Sequence, residues 1–399
     1  MNAVLSNAEH PEYGQVTVPF PVPSEEYDHV MELLEALEIG SPVDRDCKVD
    51  ELKGAYPIFN RLVGQQVNLD ELDYLIKLTD RFFKGEDAQY QGMAYKLDLT
   101  DITDLINLNS CCQQVTVITD FSDLAAIGRD HYMNLHGGSA KTENLENLDG
   151  EETARLLIAD NPATVTPYGV VYDNGMKLEQ IYKGKEFPEY HYEPCIMTVA
   201  MTAIHQEDCP ENSTWLFLPA AEQQIHRAMA RAGIDSEEYA RFRFCESALP
   251  EEVDAVLDFE RESIFELNRL CQVVKPMEPK ELKKLGTATL MAQPMNAYQV
   301  RQLAENLELF EFVPKIKTPE EYGKYMIQES GHFDYDPNLE EFYDYEKYGL
   351  QRMEQAPGMF TDCGYISYHG TMSLEELMMD DPVEQHQAEQ GFQMGGMSL

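Results

Sequence analysis

The chain has 399 residues, 43% of them hydrophobic, and carries 72 Asp and Glu against 30 Lys and Arg, a formal charge of −42. Residues 1–200 hold 35 acids and 14 bases and the rest hold 37 and 16, so each half is near −21 and the acidity is not confined to a tail. This balance excludes the basic footprint that direct nucleic-acid binding needs, while the apolar content suffices for packed cores in two or three domains.

Eight cysteines without a CxxC pair, no basic segment followed by an apolar run at the start, and no apolar stretch near membrane-spanning length predict a cytoplasmic protein with reduced thiols and no membrane contact.

Residues 1–14 read as an N-terminal extension. A strand is expected from Gln15 to Val22, where Val16, Val18 and Phe20 alternate. A helix from Ser24 to Leu37 follows, turning Glu25, Glu26, Asp28, Glu32 and Glu35 outward. Leu69, Leu72, Leu75, Ile76 and Phe82 keep helical spacing in a helical middle over 68–133. Within it, Gln113 to Ile118 reads as a short strand or turn before a helix from Ser122 to Met133. A further helix spans Leu148 to Ile158, and Asp173-Asn174-Gly175 predicts a hairpin turn. A strand from Ile196 to Ala203 and a polar boundary from Glu207 to Ser213 precede a second strand at Thr214–Phe217 and a helix from Ala220 to Ala232.

Between Pro250 and Leu270, Val253, Val256, Leu257, Ile264, Leu267 and Leu270 give an apolar side. Asp254, Asp258, Glu262 and Glu266 are four apart, so a continuous helix stacks them into one carboxylate ridge. Each like-charged pair at that spacing costs a few tenths of a kcal/mol.

The stretch 318–353 is the most distinctive. Thr318-Pro319-Glu320-Glu321 forms a capping box, Tyr322, Tyr325 and Met326 share a helical face, and Gly331 can end the helix. Asp336-Pro337 reads as a second helix start with Leu339, Phe342 and Tyr343 as its apolar face. The acids Glu320, Glu321, Glu329, Asp334, Asp336, Glu340, Glu341, Asp344 and Glu346 face Lys324 and Lys347 alone, with six tyrosines interleaved. Core packing is expected for Tyr322 and Tyr348; Tyr325 and Tyr343 are interface candidates. Tyr365 to Tyr368 closes as a strand, and 371–399, rich in Met, Gln, Glu and Gly, reads as a disordered tail.

Sliding the chain on itself by 195 residues brings Glu71 onto Glu266, Gly128 onto Gly323, Asp149 onto Asp344, Thr166 onto Thr361 and Gly169 onto Gly364. At the front the offset grows to 196–198, aligning Phe20 with Phe217 and Cys47 with Cys245. A tandem duplication is predicted, with a first unit at 15–185 and a second at 213–370. Residues 176–212 have no repeat counterpart, and 186–212 reads as a linker holding the added strand.

Nucleotide, hydrolase and metalloprotease motifs are missing. His191, Cys195, His205 and Cys209 have a spacing zinc accepts, but each reads more simply as a buried or loop residue, and no metal or other cofactor is expected. Carboxylates on successive helix turns can instead approach the phosphate density of duplex DNA, one charge per about 1.7 Å of axis. Such a surface suits the Lys- and Arg-lined channel of a DNA-handling enzyme.

The pieces Trp215-Leu-Phe-Leu-Pro219, Phe265-Glu-Leu-Asn-Arg-Leu270, Glu321-Tyr-Gly-Lys-Tyr-Met326, Gln328-Glu-Ser-Gly331, Leu339-Glu-Glu-Phe-Tyr343 and Asp344-Tyr-Glu-Lys-Tyr-Gly349 make the second unit resemble the ArdA antirestriction proteins. The resemblance implies an elongated α+β body of small domains that mimics bent DNA and blocks the DNA-binding groove of type I restriction-modification enzymes or a related defence nuclease. It also implies a non-enzymatic protein of conjugative plasmids and transposons, working as a homodimer, with Glu320 to Gly331 at the family's antirestriction motif. The family usually has one unit; here a diverged copy precedes it, which points to a monomeric pseudo-dimer. The alternative is an acidic adaptor, or a decoy for basic DNA-binding proteins, encoded on a mobile element.

Overall fold

Residues 2–7, expected to belong to an extension, form an inner strand. The computed structural model describes residues 1–379 apart from 137–138, 173–174, 260 and 333. It is an α+β structure of small antiparallel sheets and short helices. By internal contacts the chain divides into one unit of Met1–Pro194, Met201–Trp215 and Ala221–Arg241, and another of Cys195–Ala200, Leu216–Ala220 and Phe242 onward.

The first sheet comprises β1 (Asn2–Asn7), β2 (Gln15–Pro19), β3 (Cys47–Lys53) and β4 (Gln66–Val67), in the order β2-β1-β3-β4. β1 pairs Ala3 with Val18 and Leu5 with Val16, and all four are buried. The alternation that marks β2 is therefore answered by β1, whose run Ala3-Val4-Leu5 is too short to stand out alone. Helix α1 (Tyr27–Glu35) follows a single 3-10 turn at Ser24–Glu26 and buries Val30, Met31 and Leu34. A helical layer comes next: α2 (Leu69–Asp80), α3 (Glu86–Lys96) and α4 (Ile102–Leu108). After it come β5 (Thr116–Ile118), α5 (Leu124–Leu135), α6 (Thr142–Glu146), α7 (Gly150–Asp160), β6 (Ala163–Thr166) and β7 (Gly169–Tyr172), with sheet order β5-β7-β6. The β6–β7 turn is Pro167-Tyr168, closed by Thr166 Oγ1, which donates to the Gly169 carbonyl (2.8 Å). The hairpin turn expected at Asp173-Asn174-Gly175 falls on residues 173–174, which lie outside the described ones.

Residues 176–194 have no regular structure but are pinned along the first unit. Tyr182 is fully buried; its N–H donates to Asn107 Oδ1 (2.8 Å), and Asn107 Nδ2 donates back to its carbonyl (2.9 Å). Tyr74 donates its hydroxyl to the Pro188 carbonyl at 2.8 Å. The start of the expected linker is therefore a packed strap, because aromatic side chains rather than a backbone ladder hold it.

The same succession of elements then recurs. β8 (Met197–Ala203), β9 (Thr214–Leu218), α8 (Glu222–Arg231) and β10 (Ala240–Ser247) give the sheet order β10-β8-β9, matching β3-β1-β2. α9 (Glu251–Asp254), α10 (Ile264–Val274), α11 (Pro279–Ala292) and α12 (Ala297–Glu305) supply the helices. β11 (Phe310–Pro314), α13 (Pro319–Gln328), α14 (Tyr345–Gln355), β12 (Gly358–Phe360) and β13 (Gly364–Tyr368) close with sheet order β11-β13-β12, the counterpart of β5-β7-β6. Capping residues keep the offset: Asp101, Asp123 and Asp149 cap α4, α5 and α7, and Asn296, Thr318 and Asp344 cap α12, α13 and α14. A tertiary bond recurs too. Val22 N–H donates to Asp73 (2.7 Å) as Ala220 N–H donates to Asn268 (2.8 Å).

Past Thr371, expected to be disordered, α15 (Leu374–Leu377) is capped by Ser373 and buries Leu377 and Met378. The rest of that expected tail, 380–399, lies outside the described residues.

Candidate functional site

The anionic stretch is built on a close helix pair. Thr318 Oγ1 accepts the Glu321 N–H (3.2 Å), and Pro319 sets the first turn of α13. The helix buries Tyr322 and Met326 against Val313 and Tyr365, and Gly331 leaves it with a φ of +76°. Asp336 opens a 3-10 turn over Pro337–Phe342, and Asp344 opens α14. Gly323 and Gly349 let α13 and α14 touch backbone to backbone: a methyl on Gly323 would overlap the Tyr345 carbonyl oxygen, and one on Gly349 the Pro319 carbonyl oxygen.

On this frame all nine acids, Glu320, Glu321, Glu329, Asp334, Asp336, Glu340, Glu341, Asp344 and Glu346, are exposed. Among the described residues none is in an ion pair. Glu321, Asp336 and Asp344 accept backbone N–H bonds at 2.7, 2.9 and 3.0 Å, which fixes their carboxylates in place. The charges are therefore unneutralised and several are held by local structure.

The tyrosines divide in two. Tyr322 is buried, and Tyr325 and Tyr348 pack half-buried on the same small core. Burial first, then the Glu311 charge, raises the Tyr325 hydroxyl pKa. Tyr343 stacks with Tyr345 (5.9 Å between centroids) and tilts against Tyr335 (5.8 Å), and Gln328 Nε2 donates to the Tyr345 and Tyr335 hydroxyls at 2.7 and 3.1 Å. The apolar face expected of Leu339 and Phe342 is not buried: Phe342 is 81% exposed and Leu339 46%. A six-residue 3-10 turn puts residues three apart side by side, so the two present one apolar spot amid the acids. Composition hides this spot, since both residues look like core in a helical pattern.

The carboxylate ridge does not form. The helix stops at Asp254 and resumes at Ile264. In between, Leu257 is buried and Phe259 stacks on Phe244 of β10 at 4.3 Å, contacts a straight helix would forgo. Three of the four acids have internal work. Asp254 accepts from Ser247 Oγ (2.9 Å), Glu262 from the Ala297 N–H (3.0 Å), and Glu266 is gripped by Arg301 Nε (2.6 Å). Asp258 is exposed, 3.4 Å from Arg261. Glu266 aligns with Glu71, which is 2% exposed and held by Arg45 at 2.8 and 3.0 Å, so that repeat match marks a structural ion pair. In the first unit Glu25 and Glu26, on the 3-10 turn before α1, and Asp28 and Glu32, on α1, are exposed.

The zinc spacing assembles nothing: among the described residues no three His, Cys, Asp or Glu gather as ligands, and His191 Nε2 lies 2.9 Å from Glu189. Among the same residues no helix is long and apolar enough to cross a membrane.

Residues 211–367 match the family model described as antirestriction protein (ArdA). No curated protein matches the chain.

Proposed function

We propose that the chain, whose residues 211–367 match the ArdA antirestriction model, is a non-enzymatic inhibitor that occupies the DNA-binding groove of a type I restriction-modification enzyme, or a related defence nuclease, in place of DNA. The observation that carries this reading is the set of nine exposed acids on the α13–α14 frame, none of them in an ion pair among the described residues. A DNA-binding channel gains affinity by exchanging counterions for a fixed array of negative charge. Carboxylates fixed by caps on a close-packed helix pair supply that array without a backbone to cut. Residues 15–185 are read as a diverged first copy, supported by the matching sheet orders and by helix caps on one offset. One chain then acts as a pseudo-dimer in the cytoplasm, and Glu25, Glu26, Asp28, Glu32 and Asp258 add to the mimicking charge. Tyr325, Tyr343 and the Leu339–Phe342 spot are contact residues.

The test is competition. A type I enzyme bound to a labelled duplex is titrated with the protein at several salt concentrations. Displacement at low salt that weakens steeply with salt is expected, and Glu320, Glu321, Glu340 and Glu341 changed together to Gln should weaken it at least tenfold with circular dichroism unchanged. DNA left in place at low salt refutes the mimic reading for that target. Displacement of a histone-like protein alone would favour the decoy.

A further inference from the structure

Helix α8 is the first α-helix of the stretch matched by the family model, yet by its contacts it lies in the first unit. Arg227 Nε and Nη2 donate to the two carboxylate oxygens of Asp70 at the start of α2, at 3.1 and 3.0 Å. Arg231 Nη2 donates to the same carboxylate (3.0 Å) and to the Asn68 side chain. The Arg231 guanidinium lies 4.5 Å over the Phe187 ring, and Nη1 is 3.5 Å from the Tyr182 hydroxyl. That hydroxyl in turn donates to Glu71 at 3.0 Å. The two arginine side chains are 10% and 5% exposed. A chain with 30 bases for 72 acids thus buries two of its arginines on one carboxylate.

Of these partners only Glu71 keeps its residue type in the repeat, at Glu266; the two arginines and Asp70 do not. At the 195-residue offset Asp70 falls on Phe265, and at 198 Arg227 and Arg231 fall on His29 and Leu33, both exposed. Tyr182 and Phe187 belong to residues 176–194, the part of the chain read from the sequence as extra to the repeat. The contact is therefore particular to the joined chain and not a property of each copy.

We propose that Asp70, Asn68 and the strap 176–194 form a dedicated socket for α8, by which the first copy captures the leading helix of the ArdA segment. This rests on reading 15–185 as a first copy. Bidentate Arg–carboxylate geometry makes the socket selective, and removing one partner of a buried pair leaves the other uncompensated. The ArdA segment is then not an autonomous module, since its first helix has its partners in the first copy.

Hydrogen–deuterium exchange on the full chain tests this. Asp70→Asn, and Arg227→Met with Arg231→Met, should speed exchange of residues 222–231 and 176–194 at least tenfold while β11–β13 exchange as before. Tyr182→Phe, which removes only a hydroxyl, should act in the same places to a smaller extent. Unchanged protection of α8 overturns the proposal, and so does uniform loosening of the whole first unit. The readout needs no restriction enzyme, so a failed competition experiment leaves it standing or falling by itself.

Discussion

Asp254, Glu262 and Glu266 show how differently neighbouring carboxylates can be employed. Burial raises the pKa of Asp254; burial, outweighing its backbone hydrogen bond, and then the charges of Asp258 and Glu266 raise that of Glu262. A carboxyl whose folded pKa is raised holds its proton more readily folded than unfolded. Its folded state is thus favoured at acid pH, and that advantage is lost as pH rises through the raised value. Asp254→Asn and Glu262→Gln should therefore raise the melting temperature at pH 7, by roughly 1–3 °C each, and give no gain near pH 4. Both groups are only half-buried, which keeps the effect small. Glu266→Gln should do the opposite and cost about 2–4 kcal/mol, because it removes the charged partner that grips the Arg301 guanidinium, 9% exposed, at 2.6 Å. Melting curves of the three variants at the two pH values separate charge relief from ion-pair loss.

Among the elements, the α13–α14 pair depends on two glycines rather than on a large core. Gly323→Ala drives a methyl into the Tyr345 carbonyl, and neither backbone can yield without parting the helices. A loss of roughly 2–4 kcal/mol is expected, read as a lower urea midpoint, while Lys324→Ala on the exposed face should leave it unchanged. Gly128 faces Gly150 in the same way in the first unit. Much of this was legible in the sequence. Glycines, caps and the Thr–Gly turn fell on one offset because each fixes backbone geometry that a side chain would spoil. What stayed hidden depended on distant partners. β1 is recognisable only beside β2, β10 spaces its aromatics among arginines, and the helix break after Asp254 exists for a ring stack with Phe244. The candidate acids at 320–346 were legible because exposed charge needs no partner. The ridge was not, because helical spacing predicts a shared face only where the helix continues.

The molecule as a whole carries −42, and its folded state brings those charges closer than the unfolded chain does. Screening should therefore stabilise it: raising sodium chloride from about 10 mM to 150 mM shortens the Debye length from about 30 to 8 Å. The melting temperature should rise over that range, and a fall would mean that ion pairs such as Arg45–Glu71 outweigh the net repulsion.

The one-sided character of the α8 socket has a further consequence. A contact in which one patch meets a different patch can repeat from molecule to molecule and grow into filaments unless it closes on itself. On the proposed reading the series ends with the second copy. A following molecule would need a carboxylate where Phe265 stands, and a preceding one would need arginines where His29 and Leu33 stand. If residues 15–185 are a first copy, as proposed above, the contact is one that only one copy can give and only the other can receive, and the residues the copies do not share would leave the second copy without a socket of its own.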